Sequence, residues 1–238
     1  MSKLIVGLGN PGSQYENTRH NVGFCVIDQL LYQRSSNRFK SVCQSIVIEQ
    51  PNPEKTGHKL IFAKPMTYMN HSGVAVSMLV EKYGVDLEDL CVLYDDLNLD
   101  LGVLRCRRSG THGGQKGMQS IIKHLNSDAF SRIRIGIGKP NGKFTDHVLT
   151  KFSDQETDKI KTVISRATEA VEVFIEDGID VNFLIGQGVG LFNTCISESA
   201  GCWSGNLNEI TPYSGYWLNI SGAATLSQSY TEEVGCGY

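Results

Sequence analysis

A chain of 238 residues, 40% hydrophobic and 20% charged, has the composition of a soluble globular protein, with length enough for one domain with a sizeable core plus an appendage. No apolar run approaches the length needed to cross a bilayer, and the run after Lys3 is too short for the central region of a signal peptide. A formal net charge of −3 argues against a uniformly basic nucleic-acid binder, and seven cysteines without a C-x-x-C pair or metal-ligand spacing fit a reducing compartment and give a zinc site no support.

Taken in chain order, LIVGL (4–8) is fully apolar and reads as a buried central strand. It runs into GLGNPG (7–12), which fits the dinucleotide fingerprint G-x-G-x-x-G, but the context fails. Pro11 biases Asn10 to extended geometry and has no N–H to donate, so strand does not pass smoothly into helix there. Asp28, the nearest acidic candidate for the position about 20 residues on, lies inside a helical pattern rather than at the end of a second strand. Residues 20–32 carry helical apolar spacing, SVCQSIVIEQ (41–50) and HKLIFAKP (58–65) read as two strands, and 71–83 is a helix stopped by Gly84. LCVLY (90–94) is a second buried strand, GVLRCRR (102–108) an amphipathic strand, 114–125 a helix after a glycine loop, and RIRIGIG (132–138) an alternating strand. Ser153 and Glu156 form a capping box for a helix running to about Gly178. Strands interleaved with helices predict one three-layer α/β domain with a twisted mixed sheet flanked by helices, over residues 1–181.

From residue 182 the chain is rich in Gly, Ser, Thr and Asn with little periodicity, and 182–238 reads as a loosely ordered extension. An alternative C-terminus joined by splicing or a frame change would read the same way. Charge is also unevenly spread: residues 103–143 hold nine Lys or Arg against the single acid Asp128, whereas 144–238 hold four basic and thirteen acidic residues. The basic segment is a candidate phosphate-binding surface, with an unliganded solvated face as the alternative.

Polar residues collect at the element ends. Asn10 follows the first strand, TRHN (18–21) opens the first helix, Tyr68, Met69 and Asn70 follow the Pro65 turn, Asp95 and Asp96 end LCVLY, and THGGQKG (111–117) precedes a helix. In an open α/β sheet the carboxyl ends of neighbouring strands share an edge where ligands bind, so these groups are expected to converge. Either aspartate could be a strand-end turn residue.

The segments KLIVGLGNPG, Y-x-x-TRHNVGF, KP-x-T-Y-MN-x-SG, Y-DDL-x-L-x-x-GVLR, HGG-x-x-G and R-I-R-I-GIG-K-P, in this order, resemble the bacterial-type peptidyl-tRNA hydrolase family over roughly residues 3–181. The resemblance implies a monomeric, cytoplasmic hydrolase without metal or cofactor. Such an enzyme cleaves the ester between a peptide and the 3′ end of tRNA and recycles tRNA from aborted translation. An organellar stroma or matrix is the alternative location if a transit peptide has been removed. The resemblance further implies His20 as general base, Asp95 as its orienting partner, and Asn10 and Asn70 as amides that bind or polarise the ester carbonyl or peptide backbone. Tyr15, Tyr68 and Met69 would lie against the peptide or terminal ribose, and Lys116, Arg105 and Arg134 would meet tRNA phosphates. Many members of the family carry HGG-H-N-G where this chain has Gln115-Lys116, and histidine where it has Tyr94. A noncatalytic RNA-binding or splicing cofactor on the same scaffold is the second reading, and a zinc peptidase or nucleoside-processing enzyme the third.

Overall fold

Leu4, Val6 and Leu8 turn one way from the first strand and Ile5 the other, and each set joins a separate buried cluster. A strand buried on both faces needs helices on both sides, and the remaining elements supply them. The computed structural model describes residues 2–35, 38–53, 55–140, 143–177, 184–186, 189–193 and 203–205. In chain order the elements are β1 (Lys3–Gly7), α1 (Val22–Gln33), β2 (Lys40–Val42), β3 (Ser45–Pro51), β4 (Lys59–Pro65), α2 (Ser72–Tyr83), β5 (Leu90–Asp96), β6 (Leu104–Arg107), α3 (Lys116–Leu125), β7 (Ser131–Gly136), α4 (Phe144–Leu149), α5 (Asp154–Asp177), β8 (Leu184–Gly186), β9 (Val189–Asn193) and β10 (Trp203–Gly205).

The strands form one sheet in the order β10-β9-β8-β6-β7-β5-β1-β4-β3-β2. Its centre, β4, β1, β5 and β7, is parallel. The flanking strands pair antiparallel. Val26, Ile27 and Leu30 of α1 and Val163, Ala167 and Val171 of α5 cover one face. Val76 and Leu79 of α2 and Met118 and Ile121 of α3 cover the other. This is the three-layer mixed α/β arrangement that the alternating sequence pattern predicts.

Several details differ from the sequence expectation. The stretch 41–50 is not one strand: Cys43 and Gln44 both adopt positive φ (49° and 53°) and turn β2 back on β3 as a two-residue hairpin. That conformation is ordinarily signalled by Asn-Gly, and neither residue here announces it. The short helix α4 was not expected either; it carries exposed Phe144 and Leu149, which break the amphipathic pattern by which surface helices are recognised. Of the extension 182–238, β8 to β10 are described, with β8 pairing antiparallel to β6; the expectation of loose order otherwise lies outside the described residues.

Candidate active site

His20 lies in a single 3-10 turn, Arg19–Asn21, that leads into α1. Arg19 clamps this turn from outside: its guanidinium donates to Glu156 Oε2 at 2.6 Å and to the Ile137 carbonyl at 3.2 Å, and lies 4.7 Å over the Phe152 ring. The same contact holds the Glu156 carboxyl down to about 2. From inside, the helix start is seated by Gly23, where a Cβ would stand 2.5 Å from both Leu8 N and Leu93 O. Backbone meets backbone at that point, which only glycine permits, and His20 is thereby carried to the carboxyl end of β5.

There His20 Nδ1 is 2.8 Å from Asp95 Oδ2. A carboxylate accepts, so Nδ1 carries the proton of this bond and Nε2 keeps a free lone pair. Asp95 is 2% exposed and its charge requires donors. Its other oxygen, Oδ1, accepts from Gln115 Nε2 at 3.1 Å. Asp96, the next residue along β5, has different partners: Arg134 Nε donates to its Oδ2, and Asn98 N donates to its Oδ1 at 2.8 Å. The two aspartates left as alternatives by the sequence are thus separated by what they touch, one by a histidine and an amide, the other by a cation and a turn.

Asn10 is fixed by Asn21. Asn10 N donates to Asn21 Oδ1 at 2.8 Å, and Asn21 Nδ2 donates to the Asn10 carbonyl at 2.9 Å. The side-chain oxygen of Asn10 then accepts from Met69 N at 2.8 Å, which leaves its NH2 as the group able to serve a ligand. The turn around Asn10 also walls a groove of about 390 Å³ on the α1 side, whose lining includes Phe24, Ile46 and the Asp28–Lys64 ion pair. Met69 itself is 4% exposed and packs into the core beneath the site. Asn70 follows it on the exposed side of the turn. Tyr15 and Tyr68 meet edge to face at 6.4 Å, with Tyr68 largely exposed.

The basic residues stand to one side. Arg134 is registered opposite Tyr94 of β5, and Arg105 opposite Arg134, so they lie about 5 and 10 Å across the sheet from the strand that carries Asp95. Arg105 and Arg134 directly oppose each other as like charges, and burial, helped by these two charges, holds the neighbouring Arg107 below its ordinary value. Lys116 is exposed at the first turn of α3. Arg132 is turned inward instead, 2% exposed, with its guanidinium on the carbonyls of Gly110, Thr111, Asp128 and Phe130.

Sequence reasoning missed Arg19, Asn21 and Gln115. The first two sit inside the TRHN segment and were legible there as polar neighbours of His20. Gln115 registered only as a departure from the family pattern. Among the described residues no activated thiol joins the site: burial raises Cys25 to about 11 and Cys106 to about 12, and pushes Cys91 in the same direction. Among the described residues no group of three or more His, Cys, Asp or Glu side chains is placed to hold a metal ion.

A histidine whose Nδ1 meets a buried carboxylate at the carboxyl edge of a mixed sheet belongs to an α/β protein with a site whose geometry is compatible with general-base chemistry. Comparison with known proteins narrows the class. Residues 4–185 match the family model described as peptidyl-tRNA hydrolase. The chain is 48% identical over 177 residues to the peptidyl-tRNA hydrolase of Thermoanaerobacter sp. (strain X514), spanning 74% of this chain and 95% of that one. It is 48% identical over 180 residues to that of Staphylococcus haemolyticus (strain JCSC1435), spanning 73% and 91%. The crystal structure of peptidyl-tRNA hydrolase from Acinetobacter baumannii superposes with a TM-score of 0.67 at 35% identity, covering 74% of this chain and 89% of that one. The chain belongs to the peptidyl-tRNA hydrolase family, and it is an enzyme, a hydrolase.

Proposed function

We propose that the enzyme hydrolyses the ester between a peptide and the 3′ end of tRNA, with His20 as general base, Asp95 as its orienting partner, and Asn10 and Asn70 as amide donors. The observation that carries this reading is the 2.8 Å bond from His20 Nδ1 to buried Asp95, which leaves Nε2 to take a proton from water. The resulting hydroxide adds to the ester carbonyl carbon. Charge grows on the carbonyl oxygen, where the NH2 groups of Asn10 and Asn70 supply hydrogen bonds. Collapse of the tetrahedral adduct breaks the bond to the ribose oxygen, which takes the proton back from the imidazolium, and free peptide and tRNA leave. No acyl-enzyme forms on this path, since water itself is the nucleophile.

The substrate has an acidic half and a peptide half. The polyanion goes to the side of the sheet that carries Arg105 and Arg134, with Lys116 at the start of α3 beside it; tyrosines 15 and 68 lie against the peptide or terminal ribose, over a floor that includes Met69. The catalytic unit on this reading is 1–181, acting as a cytoplasmic monomer that returns tRNA to translation, with 182–238 an extension outside it. No helix among the described residues is long and apolar enough to cross a membrane. The test is release of N-blocked aminoacyl groups from tRNA in ¹⁸O-water: one labelled oxygen in the released carboxylate is expected, and RNA binding without release would overturn the reading.

A further inference from the structure

Beside Asp95 the chain places a residue whose role no part of the mechanism above has used. Gln115 precedes α3 and its side chain makes polar contacts in two directions. Its Oε1 accepts from Met118 N at 2.7 Å, capping the helix, while its Nε2 donates to Asp95 Oδ1 at 3.1 Å and lies 3.1 Å from the Met69 sulfur. The amide can be set only one way round: flipped, it would turn its oxygen on the carboxylate and its NH2 on a backbone N–H. The helix cap therefore fixes the donor that faces Asp95. Gly117 keeps the space for this, since a Cβ there would stand 2.6 Å from the Met69 sulfur and 3.0 Å from Gln115 Oε1.

The geometry assigns Gln115 as the positioning residue for the general-base pair, holding Asp95 by a neutral hydrogen bond; this rests on the proposed roles of His20 and Asp95. The contrast with the next residue says why neutrality matters. Asp96 is met by the guanidinium of Arg134, which cancels its charge. Asp95 is met by imidazole and amide, so its full negative charge remains to stabilise the imidazolium that forms when Nε2 takes the water proton. Gln115 thus supplies orientation without spending the charge that catalysis uses.

Two variants separate the cap from the contact. Gln115→Glu keeps an acceptor for Met118 N and replaces the donor with a charged acceptor; Gln115→Asn keeps an amide able to cap but is one carbon too short to reach Asp95. Both are expected to fold with unchanged circular dichroism and to lose about ten- to hundredfold in kcat, the scale of one hydrogen bond to a charged group, with KM for N-blocked aminoacyl-tRNA nearly unchanged. The second readout needs no turnover: the downfield proton resonance of His20 Nδ1–H, absent from a His20→Ala control, is expected to broaden or vanish in both variants. Unaltered kcat with an unaltered resonance in either folded variant overturns the assignment, as does a rise in KM alone, which would make Gln115 a substrate contact. An inactive wild type would sink the hydrolytic reading, while the resonance would still decide the role of Gln115.

Discussion

Asp95 and Asp96 are adjacent, both buried and chemically identical, yet they meet different partners. Asp95 answers His20 and Gln115, and Asp96 answers Arg134 and the turn at Asn98. Asp95→Asn presents an NH2 or a weak acceptor to His20 and loses control of which ring nitrogen is protonated; kcat is expected to fall by about 10²- to 10⁴-fold with tRNA affinity retained. Asp96→Asn frees Arg134 and is expected to lower thermal stability while leaving kcat within a few-fold of wild type. Parallel kcat and melting measurements on both variants check this, and equal kcat losses would contradict it. His20 and Asn10 were legible because each sits in a short motif beside conformationally restricted chain. Gln115 was not, because what it does depends on a group brought from distant sequence: it meets Asp95 across twenty residues, and spacing alone gives no sign of such a contact.

The elements position the site through close approaches. α1 begins against the backbone of β1 and β5 at Gly23, so the turn holding His20 cannot drift from Asp95 without moving the helix. Gly23→Ala puts a methyl where two backbone atoms stand, and neither can yield. It is expected to cost about 2–3 kcal/mol in chemical denaturation and to lower kcat as well, because the displaced helix carries His20 with it. A variant as stable as wild type would show that α1 is free to shift. Strands and long helices were legible from period and caps, as with α2, which ends at Gly84 in the left-handed conformation its sequence announces. The β2–β3 hairpin was not, because Cys43 and Gln44 are not residues that advertise positive φ, and the sheet imposes it on them.

At the scale of the molecule, the basic segment divides into a buried part and a part on the sheet beside the site. Part of the basic segment is structural: Arg132 is buried on backbone carbonyls, where burial also lowers its proton affinity, and it ties the loop at Gly110 and Thr111 to the start of β7. Arg105 faces Arg134 across β6 and β7 without a carboxylate of its own among the contacts described, an arrangement that invites an anion. Arg105→Ala is expected to weaken tRNA binding and to reduce the slope of log affinity against log salt by about 1, with kcat at saturation unchanged. A slope identical to wild type would remove Arg105 from the phosphate contacts. The net charge of −3 concealed this surface, because the acids that offset it fall in the C-terminal part of the chain.

The central claim is that His20 activates water, and the most direct test is the rate of release of N-blocked aminoacyl groups from tRNA by wild type and His20→Ala at equal folded concentration and fixed salt. The account predicts a loss of at least about a hundredfold in kcat with tRNA affinity intact. A variant that turns over within a few-fold of wild type would show that another group takes the proton, and the general-base assignment would fall with it.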